Sequence, residues 1–595
     1  MKAASAAFVF SRAHRAPSIP ALASGLPPPH PSIVARSLPA SASTDPSDLS
    51  PSAPYRRWKE AGLVALFAAW VLLGLVGHDP WKTEDATAFG VAWNMMNGGS
   101  ALAPSLAGEP YVDRPPLVHG LAALFGAALA PPLAPHDAAR LATGLLLALT
   151  LLFSSLATTE LGGRSLRWLP MLLLAGSVGM WDRAHQLAPE LGLLAAVAAG
   201  MYGLALALRR PVAGGVTLGL ATGLGFLACG IAGPLWLVAT AALLPVFGAA
   251  WRTRRHALTA AVALAIAAML VAAWLLALAA KSPAHLAAWW ADQELADWLG
   301  PLLRPADSNV FWHLRNLAWF AFPALPLALW TLWTRGRGFN GGLAVPAVQL
   351  PATLATVIFV SVSLMAEPRA IIALPLLVPL AMLASLEIDT LKRGFSGALD
   401  WFGILTFGLV AALVWILWFD TFVNGTSLRI ARLFRDTEIG FKPPFEPLAM
   451  GISVFLTALW IALVRPARRS NRRALLNWSA GVVLVWGLYS TLWLPYLDSR
   501  RSYRSVATDA ARHRPGQGCV ASRNLGDPQR ALFAYFGGIA TVREERSPAH
   551  GCPTLLVQYG RDGEVNPPPG WNAVWQGHRR GDDTELFVIY RKAAK

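Results

Sequence analysis

The sequence predicts an α-helical polytopic membrane protein with a small α/β domain at its C-terminal end. Of its 595 residues, 55% are hydrophobic and 14% are charged, whereas roughly a quarter of the residues in a soluble protein are charged. The mean hydropathy of +0.45 is too high for one large core, because single cores stop growing at about 250–300 residues. The excess apolar residues must face lipid, which excludes a soluble enzyme, a fibrous protein and a disordered scaffold.

Residues 1–55 are predicted to form an N-terminal tail. They are rich in Ala, Ser and Pro and contain no apolar run long enough to span a membrane, which is typical of a disordered segment. The apolar run Ala3–Phe10 is short and no clear cleavage site follows it. We therefore do not predict a signal peptide.

Residues 56–495 are predicted to form the membrane domain, with about 13 transmembrane helices. Each span approaches the ~20 apolar residues that a hydrocarbon layer of ~30 Å requires, although 167–181 is short. The predicted spans are 61–77, 138–159, 167–181, 187–208, 212–228, 233–250, 257–280, 309–333, 343–365, 370–388, 401–419, 447–464 and 475–494.

Basic residues orient these spans, because loops rich in Lys and Arg stay on the cytoplasmic side. The formal net charge is +16, and Arg56, Arg57 and Lys59 precede the first span, which predicts a cytoplasmic N-terminus. Alternation of the spans then places six further basic groups in the cytoplasm: Arg164/Arg167, Arg209/Arg210, Arg252/Arg254/Arg255, Arg335/Arg337, Lys392/Arg393 and Arg465/Arg468/Arg469/Arg472/Arg473. This pattern indicates a multi-pass protein of a bacterial inner membrane rather than a nucleic-acid groove.

The apolar segment Leu117–Ala130 has two interpretations. Its 14 residues would reach only ~21 Å as a helix, and 167–181 is equally short, so length does not decide which of the two spans. Choosing Leu117–Ala130 would leave Arg164 and Arg167 outside. We therefore predict that Leu117–Ala130 is a helix in the membrane interface.

The C-terminal segment, residues 496–595, is predicted to be a periplasmic α/β domain. It is polar and contains strand-like runs such as Thr554–Tyr559 and Glu585–Arg591. The same side of the membrane receives the loops 78–137, 182–188, 281–308 and 420–446.

Two of the three cysteines, Cys519 and Cys552, lie in this C-terminal domain. An oxidising compartment would allow them to pair, and the closed loop would then contribute ~3–4 kcal/mol to stability. A disulfide and two free thiols both remain open at this point.

The first loop, residues 78–137, concentrates charged and ionisable side chains. The acidic pair Glu84–Asp85 follows the first span, and Gly108–Pro116 reads Gly-Glu-Pro-Tyr-Val-Asp-Arg-Pro-Pro. The ionisable residues of the loop include His78, Asp79, Lys82, Glu84, Asp85, Glu109, Asp113, Arg114, His119, His136 and Asp137. A solvated loop and a catalytic site both explain such a cluster.

Four features follow one another in and after this loop. They are the acidic pair, an amphipathic helix at Ala86–Asn97, the Gly108–Pro116 segment and Ala138–Leu141. This succession resembles the GT-C membrane glycosyltransferases, in particular the protein O-mannosyltransferase and lipid A aminoarabinose transferase group. The likeness continues through Asp182–Glu190, Gly230–Pro234, Glu367–Arg369, Tyr503 and Phe533–Phe536.

The resemblance implies a GT-C-like fold and an enzyme, a polyprenyl-phosphate-sugar-dependent glycosyltransferase with a periplasmic active site. The acceptor would be lipid A, another glycolipid or a protein, and the transfer would be inverting. Such a donor carries its energy in the glycosyl–phosphate bond, and the sequence has neither a Gly-rich phosphate loop nor a dinucleotide fingerprint. The expected partners are therefore the donor, the acceptor and membrane lipid, with no nucleic acid and no established cofactor.

The resemblance also assigns site residues. Glu84 takes the position of the catalytic carboxylate with Asp85 in support, and Glu190 is either a second carboxylate of the site or a helix cap. A carboxylate deprotonates or orients the acceptor hydroxyl, and cations stabilise the leaving phosphate. The residues expected to bind the donor phosphate or the substrate are Lys82, Tyr111, Asp113, Arg114, His185 and Arg369.

Three positions depart from the family pattern. The acidic pair is Glu84–Asp85 rather than Asp-Glu, Arg114 stands where Lys is more usual, and Cys229 stands where Lys is common. A catalytically inactive relative is therefore an alternative. A lipid or sugar transporter or flippase is another, but transporters place charges at the bilayer midplane, whereas these acids lie in end loops.

A divalent metal is a weaker alternative for the histidines of the loops. His78, His119, His136 and His185 could ligate one together with Asp113, but no spacing is diagnostic. We therefore predict no metal site.

The loop 420–446 carries Arg429, Arg432 and Arg435 at intervals of three residues. In a helix these side chains would lie broadly on one side. They would then either hold anionic lipid headgroups at the membrane surface or bind a phosphorylated acceptor.

Overall fold

The computed structural model describes most of the chain after the predicted tail. The described residues are 53–294, 311–365, 369–427, 440–465, 470–514, 516, 518–546, 551–560, 565–580, 582 and 584–593. The chain divides into two compact units, residues 1–58 and 59–595. In the first unit the described residues are 53–58, the beginning of the first helix.

The described part of the chain is mainly helical, as predicted. Its α-helices are α1 (Ala53–Leu72), α2 (Glu84–Met96), α3 (Leu117–Leu129), α4 (Pro135–Gly162), α5 (Leu169–Ala175), α6 (Pro189–Ala207), α7 (Pro211–Cys229), α8 (Ala232–Phe247), α9 (Arg254–Lys281), α10 (Pro283–Ala288), α11 (Trp312–Phe320), α12 (Ala324–Gly336), α13 (Pro346–Ser363), α14 (Leu377–Leu386), α15 (Arg393–Asn424), α16 (Pro447–Val464), α17 (Asn471–Tyr489), α18 (Leu494–Arg501), α19 (Arg504–His513) and α20 (Asp527–Gly537).

Among the described residues, seven helices are long and apolar enough to cross a membrane, or nine if each of two bent helix pairs is one span. The seven are α4, α6, α7, α9, α13, α15 and α16, and the bent pairs are α11 with α12 and α17 with α18–α19. The other predicted spans fall on α1, α5, α8 and the stretch Ile371–Leu386. Helix α5 has 7 residues and is only about 10 Å long.

The predicted span 309–333 is not one straight helix. Helices α11 and α12 meet at 95°, and the break contains Pro323, which has no N–H to continue a helical ladder. The carbonyl of Phe322 at this break accepts a hydrogen bond from the backbone N–H of Val178 at 3.1 Å. This contact satisfies a polar group that hydropathy alone treats as part of a regular helix.

Helix α6 lies at the centre of the helical body and α16 at its edge. In the apolar window of α6, 83% of the residues are buried inside the protein, against 6% in α16. The backbones of α6 and α7 approach closely, since a Cβ at Gly203 would lie 2.7 Å from the backbone nitrogen of Leu218. Small residues allow membrane helices to pack in this way.

Two helices of the first loop pack against this helical body. Phe89 and Ala92 of α2 and Val118 of α3 belong to the main buried apolar cluster, together with residues of α4 and α6. Helix α3 is the segment predicted to lie in the interface, and its 13 residues are too few to cross a bilayer. The loop is therefore a folded part of the protein.

The C-terminal segment contains a mixed five-stranded sheet in the order β4-β3-β5-β7-β6. Strand β3 pairs in parallel with β4 and β5, and β7 pairs antiparallel with β5 and β6. The strands are β3 (Val520–Arg523), β4 (Thr541–Arg543), β5 (Thr554–Gly560), β6 (Trp571–Gly577) and β7 (Glu585–Lys592), and a small hairpin of β1 (Ser105–Leu106) and β2 (Glu109–Pro110) lies in the first loop. Both predicted strand-like runs, at β5 and β7, are strands.

Cys519 and Cys552 form a disulfide in this domain, with their Cα atoms 5.1 Å apart and a sequence separation of 33. The third cysteine, Cys229, is buried in α7 as a free thiol.

Replacing Cys519 and Cys552 by Ala should lower the free energy of unfolding of the C-terminal domain by about 3–4 kcal/mol, since a loop of this length would no longer be closed. Limited proteolysis across a temperature series would measure the loss. The Cys229→Ala variant is the matched control and should leave this domain unchanged. Three maleimide-reactive thiols in unreduced, denatured wild-type protein would contradict the prediction.

Candidate active site

The start of helix α2 is held by a buried ion pair between Asp85 and Arg140 of α4. The guanidinium Nη2 of Arg140 lies 3.0 Å from Asp85 Oδ2 and its Nε lies 3.2 Å from Oδ1. The same carboxylate accepts the backbone N–H groups of Trp81 at 3.2 Å and Leu187 at 3.0 Å. Burial alone would raise the pKa of Asp85, but the charge and hydrogen bonds of Arg140 hold it below its usual value. Asp85 is therefore an ionised anchor rather than a proton acceptor.

Glu84, the neighbouring residue, has a different environment. It is half-buried, and within the described ranges its carboxylate accepts one hydrogen bond, from the hydroxyl of Thr83 at 2.6 Å. It lies on the same face of α2 as Val91, seven residues further on, and Val91 packs in one apolar cluster with Tyr111. Of the two predicted carboxylates, Glu84 is thus the more accessible.

A second group of predicted residues lies between the first loop and the N-terminal end of α6. Arg114 Nε is 3.6 Å from Glu190 Oε1, and the two side chains are 11% and 4% exposed. The other oxygen of Glu190, Oε2, is buried without a hydrogen-bond partner among the described residues. Glu190 makes an ion pair rather than capping α6, whose N-cap residue is Ala188.

Asp113 and Tyr111 belong to the same charged group. Burial and the nearby carboxylate of Asp527 raise the pKa of Asp113, while the charges of Arg114, Arg369 and Arg546 act in the opposite direction. Burial, followed by the charge of Asp113, raises the pKa of the Tyr111 hydroxyl. The structure therefore brings Glu190 and Arg369 together with Tyr111, Asp113 and Arg114, although both are far from that segment in sequence.

Lys82 and His185 have other neighbours. Lys82 Nζ donates to Glu585 Oε1 in strand β7 at 2.6 Å, so it links the first loop to the C-terminal domain. The ring nitrogens of His185 lie 3.1 Å from the carbonyl oxygen of Trp181 and 2.7 Å from that of Trp70. Contact of either residue with substrate stays a prediction, and for His185 the geometry favours a structural role.

Several predicted features are dispersed or undescribed. Within the described ranges, no group of three or more His, Cys, Asp or Glu side chains is arranged to hold a metal ion. His136 hydrogen-bonds the Tyr535 hydroxyl at 2.9 Å, and His78 stacks on Trp81. Arg429, Arg432 and Arg435, like Glu367, lie outside the described residues.

Sequence reasoning missed the contribution of the C-terminal domain to this site. Glu109 accepts hydrogen bonds from Arg543, through its backbone N–H at 2.6 Å and its Nε at 2.7 Å, and lies 3.3 Å from Arg530. These contacts bring Asp527 and Arg546 near Asp113. The available signal was that Glu109 lies close to Tyr111 in the Gly108–Pro116 segment. The partners of Glu109 could not be predicted from it, because they lie more than 400 residues away in sequence.

Replacing Asp85 by Asn should lower the free energy of unfolding by up to about 3–5 kcal/mol, because it removes one of the two carboxylates that pair with the buried Arg140. Chemical unfolding of the purified protein in detergent would measure this. The control is Asp389→Asn. Asp389 pairs with Arg472, and these two side chains are 57% and 42% exposed, so their ion pair should contribute at most about 1 kcal/mol to stability. Equal losses of unfolding free energy in the Asp85→Asn and Asp389→Asn variants would contradict the role of Asp85 as an anchor.

Replacing Asp113 by Asn should stabilise the protein at neutral pH. Because the pKa of Asp113 is raised in the folded state, its negative charge destabilises folding above its ordinary pKa and protonation relieves that cost as the pH falls. The gain in thermal stability should therefore shrink as the pH approaches about 4. If the stability gain of Asp113→Asn grew as the pH fell, or if the variant were less stable than wild type at neutral pH, the prediction would be wrong.

The fold is similar to that of a protein of known structure. No protein-family model matches the sequence, and no curated protein matches it significantly. ArnT from Cupriavidus metallidurans bound to undecaprenyl phosphate is similar in structure, with a TM-score of 0.64, 15% identity, and coverage of 91% of this chain and 98% of ArnT. The apo state of the same protein has a TM-score of 0.63 and 15% identity, with coverage of 90% of this chain and 98% of ArnT. The archaeal oligosaccharyltransferase AglB from Archaeoglobus fulgidus has a TM-score of 0.46 and 12% identity, with coverage of 85% of this chain and 70% of AglB.

At 15% identity, the similarity to ArnT concerns the fold, and it covers 91% of this chain. The resemblance predicted from the first loop is confirmed at that level: the chain has the fold of ArnT, a GT-C glycosyltransferase.

Proposed function

We propose that this protein is a bacterial inner-membrane glycosyltransferase that moves one sugar from a polyprenyl-phosphate donor to a periplasmic glycolipid or protein. In this proposal the chain has thirteen spans and a cytoplasmic N-terminus, and the first loop and residues 496–595 are periplasmic. The similarity in fold to ArnT, which was solved with undecaprenyl phosphate bound, supports a lipid-linked donor.

The observation that carries the proposal is the contrast between two adjacent carboxylates. Asp85 is buried and neutralised by Arg140, whereas Glu84 is half-buried and has a hydroxyl as its partner. A general base must reach the proton that it accepts. We infer that Glu84, the more accessible acid at the N-terminal end of α2, meets that condition, and that Asp85 fixes its position through Arg140.

The reaction follows from these positions. Glu84 accepts or orients the proton of the acceptor hydroxyl, whose oxygen attacks the anomeric carbon of the donor sugar. The bond from that carbon to the phosphate oxygen breaks, so the configuration inverts and polyprenyl phosphate leaves with the bonding electrons. Arg114 and Arg369 stabilise the developing negative charge, while Glu190, paired with Arg114 at 3.6 Å, positions the Arg114 guanidinium.

The test is incorporation of radiolabelled sugar from undecaprenyl-phosphate-linked donors by the purified full-length protein. Membrane lipids and periplasmic proteins would be offered as separate acceptor fractions. Label in one fraction supports transfer and identifies the acceptor class. Intact donor with every acceptor would oppose the proposal and favour an inactive relative.

Glu84→Gln should lower kcat by about 10²–10⁴-fold, because it removes the base while keeping the shape of the side chain. Sugar incorporation under saturating donor measures the change, and thermal unfolding should be nearly unaffected. Glu446→Gln, at an exposed position before α16, is the matched control and should remain fully active. Full activity of Glu84→Gln together with loss in a folded Asp85→Asn variant would show that the two acids have exchanged roles.

Arg114→Ala and Arg369→Ala should each raise the KM for the lipid-linked donor, because a cation beside the leaving phosphate is lost. Arg114→Lys should restore only part of the donor affinity, since an ammonium lacks the bidentate fork of a guanidinium. Donor titrations at fixed acceptor measure both effects. An unchanged donor KM in both Ala variants would refute the assigned phosphate site.

A further inference from the structure

An apolar groove of about 260 Å³ lies between the helices α7, α8 and α9, all of which are described in full. Small side chains, among them Ala242 of α8 and Ala260 of α9, leave its space open. Val238 and Leu264 also line the groove, and they are 46% and 62% exposed. The groove therefore opens sideways on the surface of the helical body, where lipid would surround it.

The groove has the length of one leaflet of a bilayer. On α9 its lining residues extend from His256 to Ala267, which is a rise of about 16 Å along a helix. Half of a hydrocarbon layer of ~30 Å is about 15 Å. Helix α9 begins at Arg254, and Ala267 lies at the middle of its 28 residues. The groove thus runs from one end of a membrane helix to the middle of the bilayer, as an acyl chain does.

The end of the groove near His256 is fixed by side chains that complete helix α8. Pro245 has no N–H, so the carbonyl oxygen of Ala241 loses its partner within the helix, and His256 Nε2 donates to it at 2.9 Å. Arg252 donates from Nε to the carbonyl oxygen of Pro245 at 2.6 Å and from Nη2 to that of Val246 at 2.9 Å. This end of the groove is therefore preorganised, and the guanidinium of Arg252 is already used.

Two further guanidinium groups lie at the same end. Arg254 and Arg255 are the first two residues of α9, both are exposed, and neither makes an ion pair with an acidic residue of the described chain. Between Glu190 and Asp292 the sequence contains no Asp or Glu, so helices α7, α8 and α9 carry no carboxylate. Positive charge without a nearby acid thus adjoins the apolar groove.

We propose that this groove binds one acyl chain of an anionic phospholipid, whose phosphate lies against Arg254 and Arg255. The apolar walls accommodate the chain over the depth of one leaflet. Guanidinium groups bind phosphate oxygens through paired hydrogen bonds, and basic side chains at a membrane surface favour anionic over zwitterionic lipid. Because the groove opens sideways, the lipid enters it from the bilayer.

The groove is separate from the proposed transfer site. Glu190 lies at the N-terminal end of α6, whose 19 residues span about 28 Å. Helix α7 follows the other end of α6, and the carbonyl oxygen of its first residue, Pro211, accepts a hydrogen bond from the Thr259 hydroxyl of α9 at 3.0 Å. The beginning of α9 therefore lies nearly a hydrocarbon thickness away from Glu190. A donor phosphate beside Glu190 cannot be the headgroup at Arg254, and the groove does not depend on the transfer reaction.

The test uses the full-length protein in phosphatidylcholine vesicles that contain a small share of a photoactivatable lipid. Two probes carry the same diazirine-labelled acyl chain, one on phosphatidylglycerol and one on phosphatidylcholine. After irradiation, peptide mass spectrometry locates the crosslinks. The phosphatidylglycerol probe should label the groove residues of α8 and α9 about tenfold more than the phosphatidylcholine probe, since only its headgroup has a net negative charge. The excess should fall at high salt.

Ala242→Leu/Ala260→Leu fills the groove and should lower labelling by the phosphatidylglycerol probe about tenfold. The matched control is Ala261→Leu/Ala268→Leu, which adds the same volume at exposed positions of α9 that do not line the groove. It should be labelled as the wild-type protein is.

Arg254→Gln/Arg255→Gln leaves the groove open and should abolish the preference for phosphatidylglycerol, because the two charges that face the headgroup are lost. The same pair of probes and the same peptides measure this preference.

Equal labelling of the wild-type groove by the two probes would overturn the assignment to an anionic lipid. Undiminished labelling of a folded Ala242→Leu/Ala260→Leu variant, or an equal loss in its control, would overturn the groove as the binding site. Competition on the wild-type protein decides the question if the filled variant does not fold: unlabelled phosphatidylglycerol should displace the probe more strongly than undecaprenyl phosphate does, and the reverse order would overturn the choice of a phospholipid. No sugar transfer is measured, so failure of the proposed enzyme activity and failure of this site are distinguishable.

Discussion

The buried ion pair of Asp85 and Arg140 is the contact on which the arrangement of the first loop depends. Arg140 also donates to the carbonyl oxygen of Leu75 at 3.0 Å and to Asp137 at 3.1 Å, while Asp85 accepts the N–H of Leu187. The end of the chain leaving α1, helices α2 and α4 and the segment before α6 thus share one cluster of charges. Burying two charges is costly unless all their polar atoms are satisfied, and here each partner contacts several groups.

The C-terminal domain closes this arrangement from the other side. Lys82 pairs with Glu585, and Glu109 with Arg543, so the beginning and the middle of the first loop are both fixed to the sheet. Gly90 of α2 lies so close to Ala531 that a Cβ at Gly90 would be 2.4 Å from the Cβ of Ala531. The first loop is therefore held between the helical body and the sheet. The charges near Asp113 consequently come from both parts of the protein.

Much of the fold could be predicted because hydropathy and strand patterns are local. The predicted helix Ala86–Asn97 is α2, and the runs at β5 and β7 are strands, since their side-chain periodicities are visible in short windows. Pro323 is a local signal for the break between α11 and α12, but the 95° size of the bend could not be predicted from it. Contacts such as Lys82 with Glu585 could not be predicted either, since neither residue carries a local signal for the other. The acids and bases of the candidate site could be predicted only through a motif.

The inverted order of the acidic pair has a physical explanation in the start of α2. Consecutive residues of a helix point about 100° apart, so one acid can be buried while the next remains accessible. At position 85 the shorter Asp side chain sits among Arg140, Trp81 and Leu187 at 3.0–3.2 Å, where an extra methylene would require the cluster to expand. At position 84 no such limit applies, and the longer Glu can extend from the helix. Both carboxylates lie in the first turn, where the helix dipole favours negative charge. In this order the pair divides into a buried anchor and a more accessible acid, which is compatible with the proposed chemistry.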